Sequence, residues 1–458
     1  MLAKNDGRKL EQNVGTNKRR KLSSESRVEG AKLNDWQTVN EKLGEKLIIL
    51  PGNLTSSFFV NEIPYFKSAF REVTVIAFGK CRKEEAEIVK KYDLNCKFCS
   101  LRNFNWVQLR NFLKWLRIPY VREEIKEYVT FSKMGINRLA YILFYGLYYV
   151  ITEPILIQEI ENNNLDIYLY AFWLSRPAFC LSNMKEKYPK KIVKICARAH
   201  RYDLYEKRNS ANYLPFRSYI SKKLDTIYFI SEDGKRYYEK FCKRKSFQGV
   251  CDLKLSRLGT SNPSKLKKEI FIKEKILIAS CSSVILVKRI DLIIEVIAFL
   301  QNHGIDVQWI HIGDGELMSK MQALSLEKLK RNSYHFLGNI KNSKILQIYI
   351  ENDVDYFINL SDSEGIPVSI MEAISIGLPV IARDVGGNSE IVNGDNGCIL
   401  GKKGKKSEIL PVIYEFVKKR LSSVEDYKRL SDNARLQWED LYSAEKNYKS
   451  FYQDLWCN

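Results

Sequence analysis

Residues 361–387 read SDSEGIPVSIMEAISIGLPVIARDVGG, and they set two acids, Glu364 and Glu372, around a Gly-x-Pro entry to a helix. Gly365 removes a side chain where another molecule can approach the backbone. Pro367 suits the first helical turn, where its missing N–H has no partner to lose, and Gly377 with Pro379 beyond it ends the helix near Ile376. The free N–H groups at such a start, helped by the positive dipole end, form an anion site. Ile370, Met371 and Ile374 share the face assigned to the core, while Glu372 lies on another side with Val368, Ser369 and Ser375. A carboxylate there can accept two hydrogen bonds from a vicinal diol such as a ribose, and Glu364 can serve the hydroxyls of a second polyol. One acid for each sugar, with a diphosphate between them, fits this corner. On spacing alone, an exposed helix glutamate and a loop charge complementing the dipole account for the pair equally well.

The elements that must position these acids alternate between strand and helix. In the first half, strands are expected at Lys46–Leu50, Val73–Phe78, Asp166–Ala171, Lys191–Cys196 and Thr226–Ile230, with an amphipathic helix over Ser57–Phe70. Residues 101–165 read as helical, aromatic and basic. The Gly, Ser, Asn and Pro of residues 256–265 mark a linker. Beyond it the expected strands are Lys275–Cys281, Val307–Ile312, His335–Leu337, Val354–Leu360 and Pro379–Ala382. Helices are expected over Lys288–Gln301 and Leu317–Lys330. This alternation predicts an α/β fold with a parallel, doubly wound sheet in each half and a cleft between them.

The chain has 458 residues, 45% of them hydrophobic, enough for two or three domains with real cores. Its net charge of +20 favours anionic partners without naming one. The ten cysteines are scattered, and the close pair Cys96 and Cys99 has no second pair to make a metal site. Residues 1–44 read as a disordered basic tail. The apolar stretch Leu139–Thr152 is shorter than the roughly 20 residues a bilayer requires, so a buried helix is the first expectation there and an interfacial helix the second.

The acid-bearing segment resembles the signature of retaining glycosyltransferases of family 4, which is Glu, seven residues, Glu. SCSSVILVKRIDLIIEVIAFL (280–300), WIHIGDGEL (309–317) and YHFLGNIKN (334–342) resemble the same family's nucleotide-sugar domain. CARAHRYDLYE (196–206), the segment 213–240 and RLGT (257–260) are similar to a bacterial capsule and cell-surface polysaccharide branch. The resemblance implies two Rossmann-like domains facing across a cleft, the glycosyltransferase-B architecture. Residues 45–260 would bind the acceptor and 261–440 the nucleotide-sugar, with 441–458 forming a helix that packs back on the first domain. It implies that Glu372 binds the ribose of a nucleoside-diphosphate sugar. Glu364 would contact the transferred sugar beside the backbone of Gly365, Ile366, Pro367 and Val368, and Lys288 would hold the diphosphate. His200 matches a family histidine near donor sugar and acceptor; a polar loop residue is its plainer reading.

An arginine that the family carries five or six residues before the lysine is replaced by Ser283 and Ser282. Arg289 is the candidate to compensate, although neighbours on a helix diverge by about 100°. Gly386 and Gly387 allow close approach of the backbone to the donor, or form a simple turn. Glu390 reads as a helix-start charge. No cofactor or metal is expected, and transfer would retain anomeric configuration. The acceptor is expected to be a saccharide, free or polyprenyl-linked. The basic and aromatic residues of the first half would suit the anionic inner face of the plasma membrane, in a cytoplasmic enzyme. A same-fold epimerase and a basic nucleic-acid-binding protein are the rival readings; the second lacks zinc-finger spacing or an RNP-like strand pattern.

Overall fold

The computed structural model describes residues 43–264, 270–271 and 273–457. The tail expected over residues 1–44 lies outside them up to residue 42, and Gly44 instead opens the first strand.

Thirteen strands form two sheets among the described residues. The first sheet contains β1 (Gly44–Leu50), β2 (Phe70–Phe78), β3 (Asn95–Cys99), β4 (Ile167–Ala171), β5 (Ile192–Ala199), β6 (Thr226–Phe229) and β7 (Asp252–Leu255). The second contains β8 (Lys275–Cys281), β9 (Asp306–Ile312), β10 (Tyr334–Phe336), β11 (Tyr356–Asn359), β12 (Val380–Arg383) and β13 (Gly397–Leu400). Strand order is 3-2-1-4-5-6-7 in one and 10-9-8-11-12-13 in the other, and every pairing is parallel. Each order reverses once, beside β1 and beside β8. The crevice outside the carboxyl ends at such a reversal is where open α/β sheets bind ligands.

The central strands form because their apolar runs are buried on both faces, as Leu47–Leu50 are in β1. The edge strands β3, β7 and β13 were not anticipated; their runs are short and β7 is nowhere fully buried. Cys96 and Cys99 stand three residues apart on β3 and so project to opposite faces, each packing into a different apolar cluster.

The apolar stretch at 139–152 is the middle of a longer helix, Lys133–Glu161. By length and composition this helix could cross a membrane, but half of its apolar window is buried, with Ile142, Tyr145, Ile151 and Leu156 in the core of the first sheet.

Two features join the sheets. Thr260 and Ser443 form an isolated parallel bridge, with Thr260 N–H donating to Tyr442 O at 3.0 Å and Ala444 N–H to Thr260 O at 3.0 Å. The final helix, Ala444–Cys457, then lies against the helix Ser57–Ala69 and β5. There Arg198 and Glu62 make an ion pair with no solvent exposure, and Tyr452 donates to Glu62 at 2.8 Å. One apolar cluster runs from Tyr170 in the first sheet through Phe451, Tyr442 and Trp438 to Ile374 and Phe357 of the second domain.

Candidate active site

The helix after β11 spans Val368–Ser375, with Pro367 just before it as the capping residue rather than within its first turn. Ile370, Met371 and Ile374 are fully buried. Glu372 is also buried, at 8% exposed, yet it borders a cavity of about 680 Å³ whose wall includes Asn342, Ser343, Thr260 and Asn262. Asn342 donates to Glu372 Oε1 at 2.6 Å. Burial pushes the Glu372 carboxyl up to about 6, against the opposing pull of Asn342.

Glu364 sits in the loop between β11 and this helix, 6% exposed, surrounded by donors. Lys288 Nζ donates to Oε1 at 2.6 Å, Asn359 Nδ2 reaches the same oxygen at 3.3 Å, and Arg201 Nη1 stands 4.0 Å from Oε2. Lys288 was expected to begin a long helix. It ends a 3-10 turn, Leu286–Lys288, because Arg289 adopts a left-handed backbone (φ 53°) before the helix Ile290–Asn302. That turn is fixed to the acid loop by Asp362 N–H donating to Val287 O at 2.9 Å, which aims Lys288 at Glu364.

Gly386 and Gly387 hold the same loop from the other side. A Cβ on Gly386, whose φ is 59°, would lie 2.1 Å from Glu364 O, and Gly387 N–H donates to Gly365 O at 2.7 Å. The close approach expected of this pair is therefore made to the loop of Glu364, Gly365 and Ile366. The Gly-Asp-Gly turn at 313–315 plays the equivalent part beneath Ser282 and Val284, where a Cβ on Gly313 would meet Ser282 O at 1.9 Å.

Arg289 is drawn away from the site. Its guanidinium pairs with Asp291 at 3.0 Å and Asp362 at 3.2 Å, so it does not replace the arginine absent at Ser282 and Ser283. An Asp-x-Asp spacing occurs at Asp353 and Asp355. Those acids are engaged by Lys273 at 2.7 and 3.1 Å and by Arg420 at 3.2 Å.

The first domain contributes the end of β5. His200 is 4% exposed, its backbone N–H bonded to Asp203 at 2.7 Å, and its ring lies 4.3 Å from Trp173 and 5.3 Å from Phe172 between centroids. Neither ring nitrogen has a hydrogen-bond partner. A buried imidazole without partners is costly unless a ligand or water completes it. Arg201, unremarked in the sequence, crosses to the second domain, where Nη2 donates to Ser363 O at 2.9 Å. Glu390 does complement a helix start, but in the other domain: its carboxylate accepts from Glu232 and Asp233 N–H at 2.9 Å each, at the start of the helix Glu232–Arg244.

The site is thus a crevice at the strand ends of two Rossmann-like domains, with a buried acid bordering a cavity, Glu372, and a cation-flanked acid, Glu364. Residues 262–437 match the family model described as Glycosyl transferases group 1. The O-antigen biosynthesis glycosyltransferase WbnH of Escherichia coli is 31% identical over 113 residues, 25% of this chain and 30% of that protein. Protein CapJ of Staphylococcus aureus is 29% identical over 153 residues, 33% of this chain and 37% of that one. The match therefore spans about a third of the length of these curated relatives. The structure of HepE from Anabaena in complex with UDP and glucose superposes with a TM-score of 0.60 at 13% identity, over 90% of this chain and 99% of that one. This likeness fixes the glycosyltransferase-B fold.

Proposed function

We propose that the protein is a retaining glycosyltransferase that moves a sugar from a nucleoside-diphosphate sugar to a saccharide acceptor in surface polysaccharide synthesis. The observation that carries the reading is the pairing of two buried acids on one helix entry. Glu372 faces a cavity with one carboxylate oxygen held by Asn342, and Glu364 lies between Lys288 and Arg201. Glu372 would take the ribose and Glu364 the hydroxyls of the transferred sugar. The diphosphate would lie between them, against Lys288 and the backbone N–H groups of Gly365–Val368.

In this reading the bond from the anomeric carbon to the phosphate oxygen breaks with its electron pair on that oxygen. The acceptor oxygen bonds to the same face, and its proton passes to the departing phosphate. Lys288 stabilises the charge that develops, so the reaction calls for no resident metal or cofactor. His200, whose buried ring nitrogens have no hydrogen-bond partner, would meet a hydroxyl of the bound sugars.

The acceptor would be a saccharide, free or carried on a polyprenyl lipid at the cytoplasmic face of the membrane. Trp106, 83% exposed, shares its helix with the exposed cations Arg110 and Lys114, and the fully exposed Phe131 lies two residues from the exposed Lys133, a composition that suits an interface carrying anionic lipid.

The test is nucleotide release from a panel of UDP-, GDP- and dTDP-sugars by the wild-type protein and Glu372→Ala. Slow hydrolysis of one donor, lost in the variant, is the expected result. Failure of every donor to bind or turn over would refute the reading.

A further inference from the structure

We propose that Arg201, reaching over from the first domain, is the second cation of the diphosphate subsite, so that the leaving group is held between Lys288 on one domain and Arg201 on the other. This rests on the nucleotide-sugar reading above.

The charge balance of the crevice demands a second cation. A diphosphate esterified at both ends carries two negative charges, and Lys288 is already paired with Glu364 at 2.6 Å. The arginines bordering the loop from the second domain are occupied. Arg289 is held by Asp291 and Asp362, and Arg383 by Asp362 and the Lys402 carbonyl. Arg201 is held less closely by acids, its Nη1 standing 4.0 Å from Glu364.

Its geometry fits that part. A guanidinium offers five N–H donors in a planar fork, suited to phosphate oxygens. Here Nη2 donates to the Ser363 carbonyl, Nη1 lies 4.0 Å from Glu364, and Nε has no partner. The absence of a side chain at Gly365 makes the passage: a Cβ there would stand 3.2 Å from Arg201 Cβ. Burial and the nearby Arg208 lower the Arg201 pKa, the situation of a cation whose charge is incompletely balanced. An arriving diphosphate would supply that balance and give the second domain's ligand a direct hold on the first. When the anomeric C–O bond breaks, the electron pair left on the phosphate oxygen would be shared between the two cations.

The test compares wild type with Arg201→Gln and Arg201→Lys. Affinities for UDP, GDP and dTDP would be measured by calorimetry, and for the matching nucleosides by ligand-observed NMR, with thermal melts to confirm folding. The nucleoside diphosphate that wild type binds should bind Arg201→Gln about 10–100-fold more weakly, one charge-assisted bond being lost. Nucleoside binding should be unchanged, Arg201→Lys should recover part of the loss, and the salt dependence of diphosphate binding should become shallower. Equal weakening of nucleoside and diphosphate, or no weakening, would overturn the proposal while leaving the nucleotide-sugar reading intact. Failure of wild type to bind any nucleoside diphosphate would remove both. Should Arg201→Gln fold poorly, Arg201→Lys and the salt dependence of wild type decide the matter.

Discussion

The strand ends of the second domain are stitched to one another by backbone hydrogen bonds and glycine contacts, whereas those of the first are cushioned by aromatic rings. Around Glu364, the turn at Lys288, the Gly386–Gly387 pair and the helix start are fixed by main-chain atoms. Around His200 the neighbours are Phe58, Phe172 and Trp173, and beyond them lie helices with exposed aromatics. A ligand that every relative of a fold must hold in one pose needs preorganised donors, which main-chain atoms supply most rigidly. A partner that differs between relatives is better served by side chains that can be exchanged without disturbing the sheet.

Changes in the stitched region should therefore be the severe ones. Lys288→Ala is expected to lower kcat by about 10²–10³-fold, as loss of a donor to a developing anion does, with a far smaller change in donor affinity. An equal loss in kcat/KM and donor affinity would show that the lysine serves ground-state binding alone. Gly386→Ala should cost about 1–3 kcal/mol of stability, because it forces a left-handed alanine against the Glu364 carbonyl. A thermal melt indistinguishable from wild type would show that the loop yields easily and that its stitching is weak.

A milder perturbation is pH. With its carboxyl pushed up to about 6, Glu372 loses its charge as pH falls through that value, and on the proposed reading that charge holds the ribose diol. Donor affinity should then decline by up to about tenfold per pH unit below it, and Glu372→Gln should flatten the profile. The sign for the unliganded fold is opposite. An acid whose folded value lies above its ordinary 4.5 favours the fold most when protonated, and that contribution fades as pH rises through about 6. The smallest stability effect belongs to the cushioned region. Trp106→Ser with Phe131→Ser should leave stability within about 0.5 kcal/mol, yet abolish flotation with anionic vesicles. Undiminished, salt-insensitive flotation would sever that surface from the membrane.

The same contrast governs what could be seen in the sequence. The central strands stand within a few residues of where their apolar runs place them, because a strand buried on both faces has little choice of composition. Edge strands such as β7 (Asp252–Leu255), half-exposed and four residues long, carry no such signature. Glu364 and Lys288 meet at 2.6 Å, but the left-handed Arg289 that turns Lys288 toward the acid is invisible in a window with helical periodicity. Arg201 and Glu390 act across the domains, on residues 162 and 158 positions away, and no local pattern encodes a partner at that distance. The one available signal for Arg201 was its place beside His200.

The last helix gives the chain an order of completion that runs against its order of synthesis. Ala444–Cys457 supplies Tyr452 to the buried Glu62–Arg198 pair and the Asp454 carbonyl to Lys194, and so closes the domain whose strands are made first. On a ribosome, the opening 260 or so residues emerge with that charged pair uncovered and with the apolar bed of Tyr170 still awaiting Phe451. All six strands of the second domain's sheet, later in the chain, are made before its predecessor is whole. A nascent chain halted before residue 444 would expose an apolar, ion-bearing groove, and a chaperone that shields such grooves would find its substrate there.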